Sequence, residues 1–373
     1  MDEFLTTLKE KGFKGDIDLS LPTREVFSHD ASMFELVPEV VIAPIDVADI
    51  ELLVAEVATA KNTKNHLSIT PRSAGTDMSG GAIGQSIVLD MKKYLNKIIS
   101  VNSKEAHAQP GVFYRDFEKQ TLKHHALMPS YPASRDLCTI GGMVANNSGG
   151  EKSLQHGKTE RFVRELKVVF ADGKEYTVKP LTKKELDKKM KQKDFEGSVY
   201  REIFNLVDKN YDEIKAAKPN VSKDSTAYHL WNVWDKEREV FDLTQLIIGS
   251  QGTLGIVTDI KFRLVPAPKH SGTLVVFLRD ITQLGEIINV VLARKPATFE
   301  GFDNYTLMLS FKLFYYFHQT LGWWGMAKLG IQLIPDALML FRGIPKMVLL
   351  VEFNGENPEE VSQKVHQMRL DLK

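Results

Sequence analysis

Apolar positions along the chain fall into short blocks whose spacing changes from stretch to stretch. Val40 to Ala43 is a continuous apolar run closed by Pro44, the pattern of a buried strand. From Asp46 to about Lys61 the residues Val47, Ile50, Leu53, Val54 and Val57 recur at helical spacing, with Asp46 and Asp49 placed to favour a helix N-terminus. Residues 67–70, 87–90, 98–101 and 106–109 are short apolar or alternating runs separated by Gly, Asn, Ser and Pro, so they read as strands. A second helix is expected over 112–125. Asp172-Gly173, between runs at 165–170 and 175–178, is the clearest hairpin signal.

Residues 181–240 break this rhythm. They open Lys-rich from Lys183 to Lys193, lack strand alternation and show helical patterning over 199–214, so they read as a helical insertion. Strand character resumes at Leu246-Ile247-Ile248, continues over 256–264 and stops at Pro266-Ala267-Pro268, which reads as a domain boundary. Beyond it, residues 273–278 and 348–353 read as strands with helical spacing between them, which implies a second α+β domain. Residues 1–37 are a lead-in of mixed character. The domain division expected is therefore 1–37, a main domain from 38–180 and 241–268, the insertion, and 269–373.

A chain of 373 residues exceeds one compact core. Its 48 basic and 48 acidic residues cancel, which gives no field to attract nucleic acid. Cys138 is the single cysteine, so an internal disulfide, an iron–sulfur cluster and a Cys-rich zinc site are excluded. The acidic start Met1-Asp2-Glu3-Phe4 has no signal-peptide pattern. The aromatic run 313–327 contains His318 and Gln319 and falls short of the roughly 20 apolar residues of a membrane-spanning helix. A cytoplasmic protein is expected, with peripheral attachment to a membrane as the alternative. Phe314-Tyr315-Tyr316-Phe317 and Trp323-Trp324 are read as buried core in preference to a membrane-surface or quinone-access patch.

Candidate chemistry is concentrated in three small-residue stretches. The first runs from Pro71 to Gly81 directly after an expected strand: Arg72, Ser73, Ala74, Gly75, Thr76, Asp77, Ser79 and Gly80 form a loop in which backbone N–H groups can converge on an anion. Ser73, Thr76 and Ser79 add hydroxyl donors. The second, Thr139 to Gly150, contains Ile140, Gly142, Ala145 and Asn147, its two Gly-Gly pairs, Gly141-Gly142 and Gly149-Gly150, bracketing small and amide side chains. The third is Gly249-Ser250-Gln251-Gly252-Thr253-Leu254-Gly255-Ile256. A dinucleotide fingerprint is excluded because Ile256 to Phe262 alternates as a strand where a helix is required, and Glu151 interrupts the Gly-Lys step of a phosphate loop.

Taken together, the motifs Pro-Arg-x-x-Gly-Thr, Cys-Thr-Ile-Gly-Gly, Asn-x-Gly-Gly and Gly-Ser-x-Gly-Thr-Leu-Gly-Ile-Val, in this order, resemble the FAD-linked oxidases of the vanillyl-alcohol oxidase and para-cresol methylhydroxylase type. Within that superfamily the chain is most similar to glycolate oxidase and D-lactate dehydrogenase flavoproteins. The resemblance runs over 38–180 and 241–268, with weaker similarity to Glu300 and into the last strand. It implies an α+β fold: a PCMH-type FAD-binding domain of two α/β subdomains, followed by a partial, ferredoxin-like cap domain. It also implies that Arg72 to Asp77 cradle the FAD pyrophosphate and that residues 139–150 line the cofactor. Pro132, Ala133 and Ser134 would border the flavin, and Ile256 would meet FAD through its backbone.

Relatives that tether FAD covalently use a Gly-His step; Gly75-Thr76 stands here, so non-covalent FAD is implied. Gln251 stands where Glu is usual, Met143 where Asn is usual, and Ala227 where a Gly-Tyr step is common. The activity implied is oxidation of a small D-2-hydroxy acid such as lactate or glycolate, with electrons passing to a quinone, a cytochrome or an electron-transfer protein. The family's cap normally continues to a His-Gly-Asn-x-His segment, and Lys373 precedes it, so a partner subunit or a longer product is an expected alternative. A non-redox enzyme of the alkyl-glycerone-phosphate synthase kind is another. His270, His318 and His366 are too widely spaced to draw a metal site, no catalytic residue is assigned, and Arg135 and His156, beside the flavin loops, are open to either substrate contact or a positioning salt bridge.

Overall fold

A computed structural model describes residues 1–61, 67–221, 223–313, 316, 319, 322–328 and 344–372. It divides into two units, Met1–Ala267 and Pro268–Lys373.

In the first unit, the apolar run Val40–Ala43 is a fully buried strand because it pairs on both edges. On one side it lies parallel to Ile87–Asp90, which in turn lies parallel to Ile69–Arg72; on the other it lies antiparallel to Asp16–Asp18. Helix Val47–Lys61 makes the crossover from Val40–Ala43 to Ile69–Arg72 and buries Ile50, Leu53 and Val57 on this sheet. The lead-in is thus part of the sheet: helix Asp2–Glu10 contributes Leu5 and Leu8 to the same core, and Asp16–Asp18 supplies an edge strand. Composition hides this, since only two residues of that helix are buried.

The second sheet is antiparallel, in the order Ile98–Val101, Glu105–Ala108, Ile256–Arg263, Val163–Val169, Glu175–Val178. Its central strand alternates buried Ile256, Thr258, Ile260 and Phe262 with outward Asp259 and Lys261, the period of a half-buried strand. The hairpin closes at Asp172-Gly173, where Gly173 takes φ 72°. Tyr114 and Phe117 of helix Tyr114–Leu122 fill the core over this sheet.

Residues 181–240 share that core. Helices Lys183–Met190, Phe195–Lys209 and Tyr211–Ala216 flank a small sheet of Leu181–Thr182, Val240–Phe241 and Trp234–Asp235. Tyr200, Phe204, Trp234 and Phe241 pack edge to face or tilted, and their cluster runs on into the main core. Two-residue strands leave no alternation to read, which is why the sheet escapes a sequence pattern. Leu246-Ile247-Ile248, expected as a strand, belongs instead to the short helix Thr244–Ile247 and its end. Asp242 accepts from the Thr244 N–H at 3.0 Å and its hydroxyl at 2.6 Å, and a local cap of this kind outweighs β propensity in a three-residue apolar run.

The second unit is an antiparallel sheet in the order His270–Leu278, Met347–Gly355, Thr298–Asp303, with Val291 of helix Leu284–Ala293 and Met368 of helix Pro358–Asp371 packed on Val351 and Phe353. Strand Thr298–Asp303 has no counterpart in the sequence reading. Its Glu300 and Gly301 interrupt the apolar pattern at a sheet edge. The expectation that the aromatic cluster is buried core fails where it can be checked: Trp323 is 78% and Trp324 90% exposed. Phe314, Tyr315 and Phe317 lie outside the described residues. No helix among the described residues is long and apolar enough to cross a membrane.

Candidate functional site

The strand Ile69–Arg72 delivers the first glycine-rich loop to a cavity of about 810 Å³ in the first unit, a size within the roughly 300–1,000 Å³ of small-molecule and cofactor sites. Ser73, Ala74, Gly75, Thr76, Asp77 and Ser79 form one wall. Pro132 and Ser134, with Ala133 between them, form a second, and Thr139, Gly142 and Ala145 a third. The structure therefore brings these twelve expected residues to one hollow. Thr139 caps helix Ile140–Ala145, its hydroxyl accepting from the Gly142 N–H at 3.4 Å.

The seven others lie behind the walls. Arg72 is buried beneath the loop, donating from Nη1 to Ala82 O at 3.1 Å, while its Nε is buried without a partner. Burial pushes the guanidinium pKa down, opposed by the carboxylates of Asp30 and Asp90. Gly80 packs under the Phe34 ring. Ile140 and Ile256 are core residues, Ile256 pairing with Val169. Asn147 is buried and turned to Glu160; Gly149 lies against Ser153 and Lys158, and Gly150 against Tyr131 O.

The loop's geometry suits an anion. The N–H groups of Ser73, Ala74, Gly75 and Thr76 have no acceptor among the described residues. A cation sits directly below: a Cβ on Gly75, which has φ 69°, would come within 2.3 Å of Arg72 Nη2. Donors without acceptors above a buried guanidinium favour a phosphate-bearing ligand. Asp77 has a different task, since its Oδ2 accepts from the Ser79 N–H at 3.0 Å, the Ser79 hydroxyl at 2.7 Å and the Gly81 N–H at 2.9 Å. The Ser79 hydroxyl is thereby committed to the loop itself.

The third stretch enters through residues other than Ile256. Gly249 and Gln251 line the cavity, and their N–H groups donate to Val144 O at 3.0 Å and Ala145 O at 2.9 Å. Gln251 Nε2 reaches Asp77 Oδ1 at 3.4 Å, Ser79 Oγ at 3.2 Å and Asn146 Oδ1 at 3.5 Å, so one side chain ties all three stretches.

A further wall, Ser225, Thr226 and Ala227, comes from the inserted segment. It is held from behind by His229, which is 4% exposed. His229 Nδ1 lies 3.0 Å from Glu160 Oε2 and Nε2 3.4 Å from Asp224 Oδ2, with the ring stacked on Trp231. Glu160 in turn exchanges hydrogen bonds with Asn147. Lys158 Nζ donates to Asp224 O at 2.6 Å, and burial pushes its pKa down. Hydrogen bonds from Thr226, aided by His229 and Lys158, hold the Asp224 carboxyl below its usual range. The sequence marked this wall only through Ala227. Ala31 of the lead-in lines the cavity too, its N–H donating to Asp77 O at 2.9 Å, and nothing in its sequence context points to it.

Arg135 pairs closely with Glu118 and lies over the Tyr131 ring at 4.5 Å, so it braces the 132–134 wall. Burial, with Lys152 nearby, pushes the His156 pKa down. Cys138 is buried in the wall, and burial pushes its thiol up to about 11. His270 and His366 lie on a strand and a helix of the second unit, and His318 lies outside the described residues. No cluster of three or more potential metal ligands occurs among the described residues.

A family model described as FAD binding domain matches residues 38–179. D-2-hydroxyglutarate dehydrogenase of Pseudomonas putida is 29% identical over 97% of this chain and 35% of its own length. That of Escherichia coli is 28% identical over 99% of this chain and 35% of its own length. Glycolate oxidase subunit GlcD of Bacillus subtilis is 28% identical over 79% of this chain and 52% of its own length. The chain thus spans about a third of the D-2-hydroxyglutarate dehydrogenases it matches. A solved alkyldihydroxyacetonephosphate synthase shares the fold, with a TM-score of 0.68 at 17% identity over 100% of this chain and 59% of that one. Residues 38–179 match the FAD binding domain family, and FAD is the chain's cofactor.

Proposed function

We propose that the chain is the flavin-binding part of an FAD-dependent oxidoreductase that oxidises a D-2-hydroxy acid. The observation that carries this reading is the single hollow where three separated small-residue stretches meet, in a chain similar almost end to end to D-2-hydroxyglutarate dehydrogenases. FAD, when bound, supplies the electron sink that accepts hydride from the substrate carbon. The N–H groups of residues 73–76 bind its pyrophosphate, and Arg72 acts through its field from below. Pro132, Ser134, Thr139, Gly142 and Ala145 border the ring system. Asn147, Gly149 and Gly150 hold the second stretch in shape. With Thr76 after Gly75, the cofactor is held without a covalent bond.

Electrons leave to a quinone, a cytochrome or an electron-transfer protein. The three-stranded second unit is part of a substrate-covering cap. Because the chain spans a third of its D-2-hydroxyglutarate dehydrogenase relatives, and GlcD is named a subunit, a partner chain or further sequence completes the catalytic site in the second reading.

The test is anaerobic addition of D-2-hydroxyglutarate, D-lactate and glycolate to the FAD-loaded chain. Bleaching by a D-acid and not its L-enantiomer supports the first reading and rules out a non-redox alkyl-glycerone-phosphate synthase role. A yellow protein that none of them bleaches, with or without its co-purifying partner, contradicts the proposed substrate class.

A further inference from the structure

Arg72 lies under the first glycine-rich loop with its charge only partly accounted for. Nη2 lies against Gly75, Nη1 donates to Ala82 O at 3.1 Å and to Phe27 O at 3.5 Å, and Nε is buried with no partner. Two carboxylates act on the guanidinium through their charge, Asp30 and Asp90. Asp90 is engaged elsewhere, since its Oδ1 accepts the Lys92 N–H at 3.0 Å and faces Lys92 Nζ at 3.8 Å. Asp30 is not. Its Oδ1 accepts the Ser32 N–H at 2.8 Å, and its Oδ2 is buried without a partner. A donor and an acceptor of opposite charge, both buried and both unmatched, are therefore within electrostatic reach of one another, and either alone would be costly in a low-dielectric site.

The segment that carries Asp30 is fixed to the loop. The Leu36 N–H donates to Ser28 O at 2.9 Å and closes residues 28–36 on themselves, while the Ala31 N–H donates to Asp77 O at 2.9 Å. The Phe27 ring takes the Arg72 guanidinium at 5.2 Å and Lys92 Nζ at 5.3 Å. All of this precedes residues 38–179, which the FAD binding domain model matches. A carboxylate held beside the cation under an anion-binding loop acts in opposite senses on the empty and the filled site. With the loop empty, it makes the burial of a positive charge tolerable; with phosphate above residues 73–76, it repels the same anion that the guanidinium attracts. We propose that Asp30 is a positioning residue, the resident counter-ion that holds Arg72 beneath the loop until the FAD pyrophosphate takes over its charge. The role rests on the reading that residues 73–76 bind that pyrophosphate.

The test is FAD titration and thermal melting of the full chain, of Asp30→Asn, of Arg72→Met and of the two combined. Asparagine keeps the oxygen that accepts from the Ser32 N–H and removes only the charge, so the segment keeps its turn. Asp30→Asn should bind FAD about three- to tenfold more tightly, because one anion fewer opposes the pyrophosphate, while its FAD-free form should melt below the unsubstituted chain. A residue that merely braces the fold would lower affinity and melting temperature together. In the Arg72→Met background Asp30 is a buried carboxylate with no cation to serve, so Asp30→Asn should there raise the melting temperature and lose most of its gain in FAD affinity. The proposal is overturned if Asp30→Asn weakens FAD binding or leaves it unchanged, or if either effect is the same without Arg72. A chain that takes up no FAD would sink the flavin reading. Inorganic pyrophosphate then replaces FAD in the same comparison, and a chain that does not bind it, or binds it no more tightly as Asp30→Asn, overturns the counter-ion role as well.

Discussion

Gln251 Nε2 and Asp77 Oδ1 lie 3.4 Å apart across 174 residues of chain, joining the last glycine-rich stretch to the first. This contact gives a physical reason for the glutamine, because a glutamate there would set a second carboxylate against Asp77. Gln251→Glu is expected to weaken FAD binding by about tenfold or more at low salt and less at high salt, as like charges near a surface are screened. Asp77→Asn should restore much of the loss, and a double-mutant cycle on FAD affinity measures the coupling. Gln251→Ala, losing only long hydrogen bonds, should cost less than about 1 kcal/mol.

Arg72 and Gly75 act as a pair. Gly75→Ala would force a side chain into 2.3 Å contact with the guanidinium at a φ of 69°, so it should lower stability by about 1–3 kcal/mol, read by thermal melting. Arg72→Met keeps the packing volume but removes the cation under the phosphate loop. FAD affinity should then fall by more than the melting temperature of the FAD-free protein would suggest.

His229 separates two carboxylates at the back of the cavity wall. His229→Ala should destabilise the chain by roughly 1–3 kcal/mol, because Glu160 loses a buried hydrogen-bond partner and Asp224 a nearby imidazole, and it should also loosen the 225–227 wall. Equilibrium denaturation and FAD titration together check this, and His229→Gln, retaining one polar contact, should fall between the two. An alanine variant with unchanged stability and FAD affinity would remove His229 from the wall's support.

Cys138 is expected to be chemically quiet. With its thiol pushed up to about 11 by burial, it stays protonated below that pH, and the thiolate is the reactive form. Labelling by iodoacetamide should be slow at pH 7–8 and should accelerate sharply only on unfolding in denaturant.

What the sequence makes legible is whatever short-range chemistry dictates. The crossover helix Val47–Lys61 follows from apolar spacing, the hairpin at Asp172-Gly173 from its turn residues, and the ligand-binding character of the loops at 73–79 and 139–145 from their glycines, while their convergence is implied by the family resemblance. Features set by long-range contact are not legible. Ala31 reaches the cavity through its N–H bond to Asp77 O, and Ser225 to Ala227 are backed by His229, which meets Glu160 from another segment. Arg72 belongs to the phosphate loop by motif, yet Gly75 leaves room for it to fold underneath, which a motif cannot tell. The exposed tryptophans carry the same lesson in reverse: apolar composition argues for burial, yet Trp323 and Trp324 lie at the surface.

The central claim is that three distant stretches form one FAD site. Titration of FAD-stripped protein, followed by flavin fluorescence and by the rise in melting temperature, addresses it most directly. Equimolar, saturable binding is expected, weakened separately by Gln251→Glu, by Arg72→Met and by Gly142→Val, one change in each of the three stretches and each acting on the same hollow. Protein that takes up no FAD, or binding indifferent to changes in two of the three stretches, would contradict it.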